Sequence, residues 1–463
     1  MSEHLIWDPL MIQRYNRSGP RYTSYPTAIE FTPASSDEDE IEALSHATDK
    51  PLSLYLHIPF CAHVCYYCGC NKIVTKDKDR AITYLDYLLR EIDMKAAMVE
   101  SNGSPKRRVV EQLHLGGGTP TFLSDEQLTK LIQHLTSRFT FSESESADYS
   151  IEIDPRELGP NTLKTLRDLG FNRVSFGVQD VNLTVQKAVN RVQPEEMIID
   201  VMDNARALGF RSINIDLIYG LPFQTLESFT DTLDRIISMR PDRLSIFNYA
   251  HLPQRFMPQR RINDSDLPEA AEKLAIFGMA IQRLSAAGYH YVGMDHFALP
   301  DDELSSAQQQ GKLHRNFQGY TTHGECDLIG LGVSSISQLG NMFAQNYTDL
   351  SQWQSAIDND RLPTFKQRQA NHDDNIRKHI IMGLLCHLKV SFADLDTRFE
   401  INSKEYLKDE LHKLAGMEAD GLIHINEAAL CITDAGRLMV RQTCMVFDAY
   451  RHGSDNKRFS QAI

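Results

Sequence analysis

The chain has 463 residues, enough for two or three domains or for one barrel with an appendage. Its 42% hydrophobic and 24% charged residues are ordinary for a globular protein, and a net charge of -14 argues against a nucleic-acid partner and against docking on an anionic membrane. No apolar run approaches the roughly 18 residues that span a bilayer. The opening residues lack the basic and apolar regions of a signal peptide, so the expectation is a cytoplasmic protein with reduced cysteines.

A polar, proline-bearing lead runs to about residue 48. A strand-like run at 52–58 follows, and then four of the eight cysteines fall within ten residues: Cys61, Cys65, Cys68 and Cys70. The first three have the spacing C-x3-C-x2-C. Thiolates are the usual protein ligands of iron–sulfur clusters. Three of them on one loop hold three irons of a cubane and leave the fourth iron open, much as an open position separates a catalytic zinc from a structural one. Zinc usually closes with two separated pairs, whereas Cys326, Cys386, Cys431 and Cys444 are scattered singly, so zinc and unligated thiols are the minor alternatives. Spacing leaves Cys70 open between a fourth ligand, a catalytic thiol and a bystander. Cys386, in the apolar run 380–386, reads as a buried small hydrophobe.

Further strands are predicted at 112–115, 149–153, 173–178, 212–217 and 243–248, alternating with helical periodicity at 82–98, 125–138, 195–208 and 226–239. Ser124 with Gln127 forms a helix-start signal, Pro194 lies just inside another helix, and Gly170 and Gly209 sit where C-terminal caps belong. Six strand–helix units in series predict a parallel sheet with helices outside, a partial TIM-like (β/α)6 barrel. Right-handed crossovers bring all strand carboxyl ends to one rim. Polar groups cluster at those ends: His57 and the cysteine loop, Gly116-Gly117-Gly118-Thr119, Glu152 and Asp154, Gln179 and Asp180, Asp216, and Asn248 with His251. Buried parallel strands are otherwise almost wholly apolar, so these residues read as functional. The glycine run would let a ligand approach the backbone closely.

Beyond a helical stretch at 267–288, the segment 314–322 is dense in aromatic and hydrogen-bonding groups without periodicity, as an active-site cover would be. Charged residues at 366–374 mark a boundary. The remainder is predicted to be a small, mostly helical domain with a hairpin formed by 420–425 and 429–432, of winged-helix shape but acting in packing or as a lid rather than on nucleic acid. The expected division is thus a lead at 1–48 serving the substrate site, a catalytic barrel with extension at 49–365, and a helical C-terminal domain at 366–463.

The cysteine loop resembles the signature of the radical S-adenosylmethionine (SAM) superfamily. Its members commonly show Gly-Gly-Glu where this chain has Gly-Gly-Gly-Thr-Pro, and that departure points to a narrower group. RYTSYPT at 21–27, YLHIPFC at 55–61, GCNK at 69–72, HLGGGTPT at 114–121, EIDPRE at 152–157, SFGVQ at 175–179, NIDLIYGLP at 214–222, FNYAHLP at 247–253, GMDHF at 293–297 and HRNFQGYTT at 314–322 are similar to the oxygen-independent coproporphyrinogen III oxidase family over nearly the whole chain.

The resemblance implies a 4Fe–4S cluster held by Cys61, Cys65 and Cys68, two SAM molecules, and a 5′-deoxyadenosyl radical that decarboxylates the ring A and B propionates of coproporphyrinogen III to vinyl groups, giving protoporphyrinogen IX for haem synthesis. It implies that Cys70 is a non-ligand with a role in turnover. Tyr55, Gly117, Glu152 and Ile336 would contact the cluster-bound SAM. Tyr67, Gly118, Thr119, Gln179, Arg191, Asp216 and Ala250 would contact SAM across the two positions. It also implies a monomer that uses an electron donor and a terminal acceptor. Four substrate carboxylates need cationic or amide partners, for which Arg21, Arg255, Arg315 and Gln318 are candidates. The alternative is a radical-SAM-like haem-binding chaperone without oxidase activity, though such paralogues generally lack the fourth cysteine and the long lead.

Overall fold

Each of the six expected strands forms: β1 (Leu52–Ile58), β2 (Val109–Gly117), β3 (Asp148–Ile153), β4 (Arg173–Gln179), β5 (Ser212–Tyr219) and β6 (Arg243–Asn248). They pair in parallel in the order β1-β2-β3-β4-β5-β6. In this computed structural model residues 5–46, 48–101 and 107–451 are described. The chain divides into two compact units, one of residues 31–276 and 325–369, the other of 1–30, 277–324 and 370–463.

In the first unit a further strand, β7 (Asp327–Leu331), lies parallel to β1 on its free side. It leads into an antiparallel extension of β8 (Ile336–Leu339), β9 (Met342–Asn346) and β10 (Thr364–Gln369), whose outer edge pairs with Thr32–Pro33. Helices cross between the parallel strands: α1 (Asp79–Glu100), α2 (Asp125–Arg138), α3 (Thr162–Asp168), α4 (Leu183–Ala188), α5 (Glu195–Ala207) and α6 (Leu226–Met239). Local signals set their ends. Ser124 and Gln127 exchange both bonds of a capping box on α2, and Pro194 stands at the N-cap of α5, one place before the helix. Gly170 and Gly209 take φ of 98° and 75° just after α3 and α5, where a Cβ would be strained.

The strands alternate in character with a period of two. Leu54, Leu56, Leu113, Leu115, Ile151, Val174, Phe176, Ile213, Ile215, Leu244 and Ile246 are buried. Between them stand Tyr55, His57, His114, Glu152, Ser175, Asn214, Asp216 and Ser245. The register aligns these polar residues across neighbouring strands: Tyr55 beside His114, His114 beside Ser150, Glu152 beside Ser175, Ser175 beside Asn214, and Asp216 beside Ser245. The sheet therefore turns one apolar face away and lines the other with hydrogen-bonding groups.

On the β7 side, Lys95 of α1 is fully buried. Its Nζ reaches Glu40 Oε1 at 2.9 Å, Glu91 Oε1 at 3.4 Å and the Gly330 carbonyl at 2.8 Å. Glu91 in turn accepts from the Gly332 amide, Asn346 Nδ2 and Trp353 Nε1. This network fastens the end of β7 to α1.

In the second unit, the segment 314–322 forms a hairpin of His314–Asn316 and Gly319–Thr321. Tyr22 and Tyr25 of the lead are buried beside Asp448 and Ala449, Tyr22 donating to Asp448 and Tyr25 accepting from the Ala449 amide. The expected C-terminal hairpin is present as Ile423–Ile425 against Ala429–Ile432, and Lys389–Ser391 adds a third antiparallel strand. Cys386 is buried in the helix His372–His387. Among the described residues, no helix is long and apolar enough to cross a membrane.

Candidate active site

At the carboxyl ends of β1 to β5 a cavity of about 260 Å³ opens. Its walls hold Cys61, Cys65, Cys68 and Cys70, together with Tyr67, Gly117, Gly118, Thr119, Glu152, Gln179, Arg191 and Asp216. Strand-end clustering thus brings twelve of the sequence-predicted site residues to one place. Tyr55, Ala250 and Ile336 stand outside this wall. Tyr55 stacks on His114 with ring centroids 5.9 Å apart, and its hydroxyl meets His57 Nδ1 at 3.1 Å. Ala250 follows β6, where its carbonyl accepts from Gln259, and Ile336 opens β8.

All four thiols of the run are free. Cationic groups surround them: Arg191 Nη1 and Arg156 Nη2 approach Cys65 Sγ at 3.4 and 3.5 Å, and Lys72 Nζ donates to the Cys68 carbonyl at 3.0 Å. The Thr119 hydroxyl lies 3.6 Å from Cys61 Sγ. The Cys70 thiol donates to Cys68, which lowers the pKa of Cys68 and raises that of Cys70. Burial pushes Cys61 up to about 11. A set of soft sulfur donors on one loop, with positive charge behind it, suits an iron–sulfur cluster.

The glycine run departs from its expected reason. A Cβ on Gly117 would meet the His57 ring at 2.7 Å, and one on Gly118 would meet the Phe60 carbonyl at 2.7 Å. The missing side chains therefore admit the end of β1, and Gly117 also needs its φ of 115°. His57 is held in place by the Asn71 carbonyl, 2.9 Å from its Nε2. The cysteine loop, β1 and the glycine run thus lock into one another.

Polar groups lie at fixed depth across the cavity. Glu152 accepts from the Gly117 amide at 3.1 Å and lies 3.4 Å from His114 Nε2. Burial would raise its pKa, but His114 and the Gly117 amide lower it. Its side chain is 46% exposed to the cavity, so a carboxylate faces any ligand there. Asp154 bridges Arg156 and Arg191 at 2.7 and 2.9 Å, and those cations outweigh burial to keep it ionised. Arg191 also donates to the Gly177 carbonyl. Asp216 takes bonds from Asn214 and Ser175, yet burial, and then the charge of Glu152, push it up to about 6. Gln179 sits at φ 70°, an uncommon conformation for a residue with a side chain. Gln179 Oε1 and Arg191 Nε are buried without a hydrogen-bond partner. Buried polar atoms are normally paired, so a ligand with both donor and acceptor groups fits between them.

From sequence, no site role fell to His114, Ser175, Asn214, Arg156 and Lys72, which were met only inside longer motifs, nor to Ser150 and Ser245. The period-two alternation of polar groups inside the strands marks His114, Ser150, Ser175, Asn214 and Ser245. Of the carboxylate partners proposed from sequence, Arg21 pairs with Asp295. Arg315, 9% exposed, stacks over Tyr320 at 4.7 Å with Nε and Nη1 unbonded, and Gln318 Nε2 is likewise unbonded. Arg255 lies on the ring of Phe256 in the barrel unit.

Comparison with known proteins agrees with this geometry. Residues 55–236 match the Radical SAM superfamily, and residues 370–439 match the HemN C-terminal domain. The oxygen-independent coproporphyrinogen III oxidase of Pseudomonas aeruginosa is 51% identical over the whole of both chains. That of Escherichia coli K12 is 46% identical, covering 100% of this chain and 99% of its own. The solved structure of coproporphyrinogen III oxidase (HemN) from Escherichia coli, described as a Radical SAM enzyme, superposes with a TM-score of 0.91 at 45% identity, covering 96% of this chain and all of that one. The cavity, its thiols and full-length identity together place this chain in the oxygen-independent coproporphyrinogen III oxidase family of radical SAM enzymes.

Proposed function

We infer that this protein decarboxylates the ring A and B propionates of coproporphyrinogen III to vinyl groups, yielding protoporphyrinogen IX in haem synthesis. The observation that carries this is the convergence of Cys61, Cys65, Cys68, Glu152 and Asp216 on one cavity in a chain alike to such oxidases along its full length. When bound, a 4Fe–4S cluster and SAM would supply the one-electron radical chemistry needed to remove hydrogen from the propionate β-carbon.

Cys61, Cys65 and Cys68 would hold the cluster, with the Arg156 and Arg191 guanidiniums beside Cys65 Sγ and Lys72 bonded to the Cys68 carbonyl. Glu152 offers a fixed carboxylate to an ammonium group, and Gly117 and Tyr55 bound the same side; Ile336 borders the first SAM. Arg191 and Gln179 present unbonded polar atoms to a second SAM, with Tyr67, Gly118, Thr119, Asp216 and Ala250 around it. Cys70 carries its thiol proton toward Cys68 and serves turnover rather than ligation. Arg315 and Gln318 offer unbonded donors to substrate carboxylates.

The division into a lead at 1–48, a barrel at 49–365 and a C-terminal domain at 366–463 belongs to the same reading, with the lead serving the substrate site. So do a monomeric state, a cytoplasmic location, an electron donor and a terminal acceptor. The haem-binding chaperone reading is not favoured, because the full-length relatives at 51% and 46% identity are oxidases. Anaerobic incubation with SAM, a reductant, an electron acceptor and coproporphyrinogen III tests the proposal: it requires protoporphyrinogen IX, and haem binding without vinyl product would refute it.

A further inference from the structure

One short helical turn beyond β6 lies along the cysteine loop. The 3-10 segment Met257–Arg261, with Phe256 before it, touches three loop residues in succession. Arg261 Nη1 donates to the Tyr66 hydroxyl at 3.2 Å, with its guanidinium 5.2 Å from the Tyr66 ring centre. The Phe256 ring is 3.0 Å from where a Cβ on Gly69 would stand. Between these two contacts Gln259, 2% exposed, makes three hydrogen bonds. Its Nε2 donates to the Tyr67 carbonyl at 2.8 Å and to the Ala250 carbonyl at 3.2 Å, and its Oε1 accepts from the Leu252 amide at 2.6 Å. Beneath them Tyr66 and Tyr67 pack on an apolar cluster that includes Val189, Tyr249 and Ile262.

We propose that Gln259 is a positioning residue that ties the cysteine loop to the strand-end segment 250–252, so that ordering either one orders the other. Each bond goes to a backbone atom, so Gln259 reads position rather than side-chain identity. Tyr67 lies between Cys65 and Cys68, and moving its carbonyl moves the Cys68 Sγ with it. Ala250 stands outside the cavity wall itself and is among the residues assigned to the second SAM position in the reading above, on which this inference rests. Loading the cluster orders the cysteine loop and, through Gln259, tightens the second SAM position; by linkage the coupling is reciprocal. A buried side chain with every polar atom used transmits such displacement, because any shift leaves a carbonyl or an amide unpaired at about 1–3 kcal/mol each.

The test uses the full chain, reconstituted anaerobically, and compares wild type with Gln259→Met, Gln259→Glu and Gln186→Met. Gln259→Met removes all three bonds at similar volume. Gln259→Glu keeps the acceptor for the Leu252 amide and loses both donors. Gln186 is an equally buried glutamine whose three bonds join Asp180 and Gln193 and do not touch the loop. Readouts are iron and sulfide per chain, the number and affinity of bound SAM by equilibrium dialysis, melting temperature, and hydrogen exchange of the 249–253 peptide with and without cluster.

We expect both Gln259 variants to keep wild-type iron and one tight SAM while the second SAM weakens about tenfold or more. Their exchange at 249–253 should no longer respond to the cluster. Gln186→Met should lower the melting temperature and keep both SAM affinities. Unchanged second-SAM affinity in Gln259→Met overturns the inference, and so does an equal loss in Gln186→Met, which would mean general loosening. Wild type that binds only one SAM refutes the two-SAM reading itself, a result visible before any variant is made.

Discussion

The backbone amide of Cys70 donates to the sulfur of Cys68 at 3.5 Å, so the fourth cysteine of the run is anchored directly on one of the three cysteines proposed to hold the cluster. The hydrogen bond between their side chains lowers the pKa of Cys68 and raises that of Cys70. A hydroxyl at position 70 keeps the loop geometry while removing the sulfur. Cys70→Ser should therefore retain iron, sulfide and brown absorbance and lose product formation by at least about a hundredfold, the scale of one acid–base group. Full activity in this variant would make Cys70 a bystander.

Removing a ligand is different. Cys68→Ala leaves two thiolates, which hold a cubane poorly, and the anaerobically reconstituted protein should lose most of its iron and its absorbance near the thiolate-to-iron charge-transfer region. Iron content equal to wild type would mean that another group completes the site.

Asp216 makes a prediction about pH. Its folded-state pKa is raised from 3.8 to about 6, chiefly by burial. The sign follows from the charged form being the penalised one. Below about pH 4 the group is protonated in folded and unfolded chains alike and costs nothing. As pH rises through about 4–6 the unfolded chain ionises more readily, and above 6 the cluster-free protein carries a penalty of about 3 kcal/mol. Asp216→Asn should then melt higher than wild type at pH 7.5, with the difference vanishing near pH 4, while SAM affinity falls. A stability gain that is independent of pH would assign the effect to packing.

Lys95 neutralises two buried carboxylates, Glu40 and Glu91, and all three side chains are fully buried. Lys95→Met leaves those charges uncompensated and should cost about 3–5 kcal/mol in urea unfolding of the barrel unit. Its effect should be partly relieved by adding Glu40→Gln. A loss below about 1 kcal/mol would show that water reaches the cluster of charges.

Much of this was legible in the chain. Strand–helix alternation gave the six parallel strands, because each is a short run rich in β-branched or aromatic residues set between helices with start and stop signals, as at Ser124 and Gly170. Polar residues at strand ends gave most of the cavity wall, because parallel strands converge on one rim. Strand β7 was not legible: Asp327–Leu331 is only five residues long and lies 269 positions after the last residue of its partner in β1, so no local pattern marks it. The reason for Gly117 and Gly118 was also hidden, since the His57 ring and the Phe60 carbonyl occupy the space beside them only after folding. Gln259 lay outside every motif, because its role is to hold backbone atoms of residues far away in sequence.

The most direct measurement is electron paramagnetic resonance of the anaerobically reconstituted, dithionite-reduced protein with and without SAM. A signal of a reduced 4Fe–4S cluster that changes shape when SAM is added, and that is absent from Cys61→Ala, is the predicted result. A cluster signal indifferent to SAM, or no signal from fully iron-loaded protein, would contradict the account.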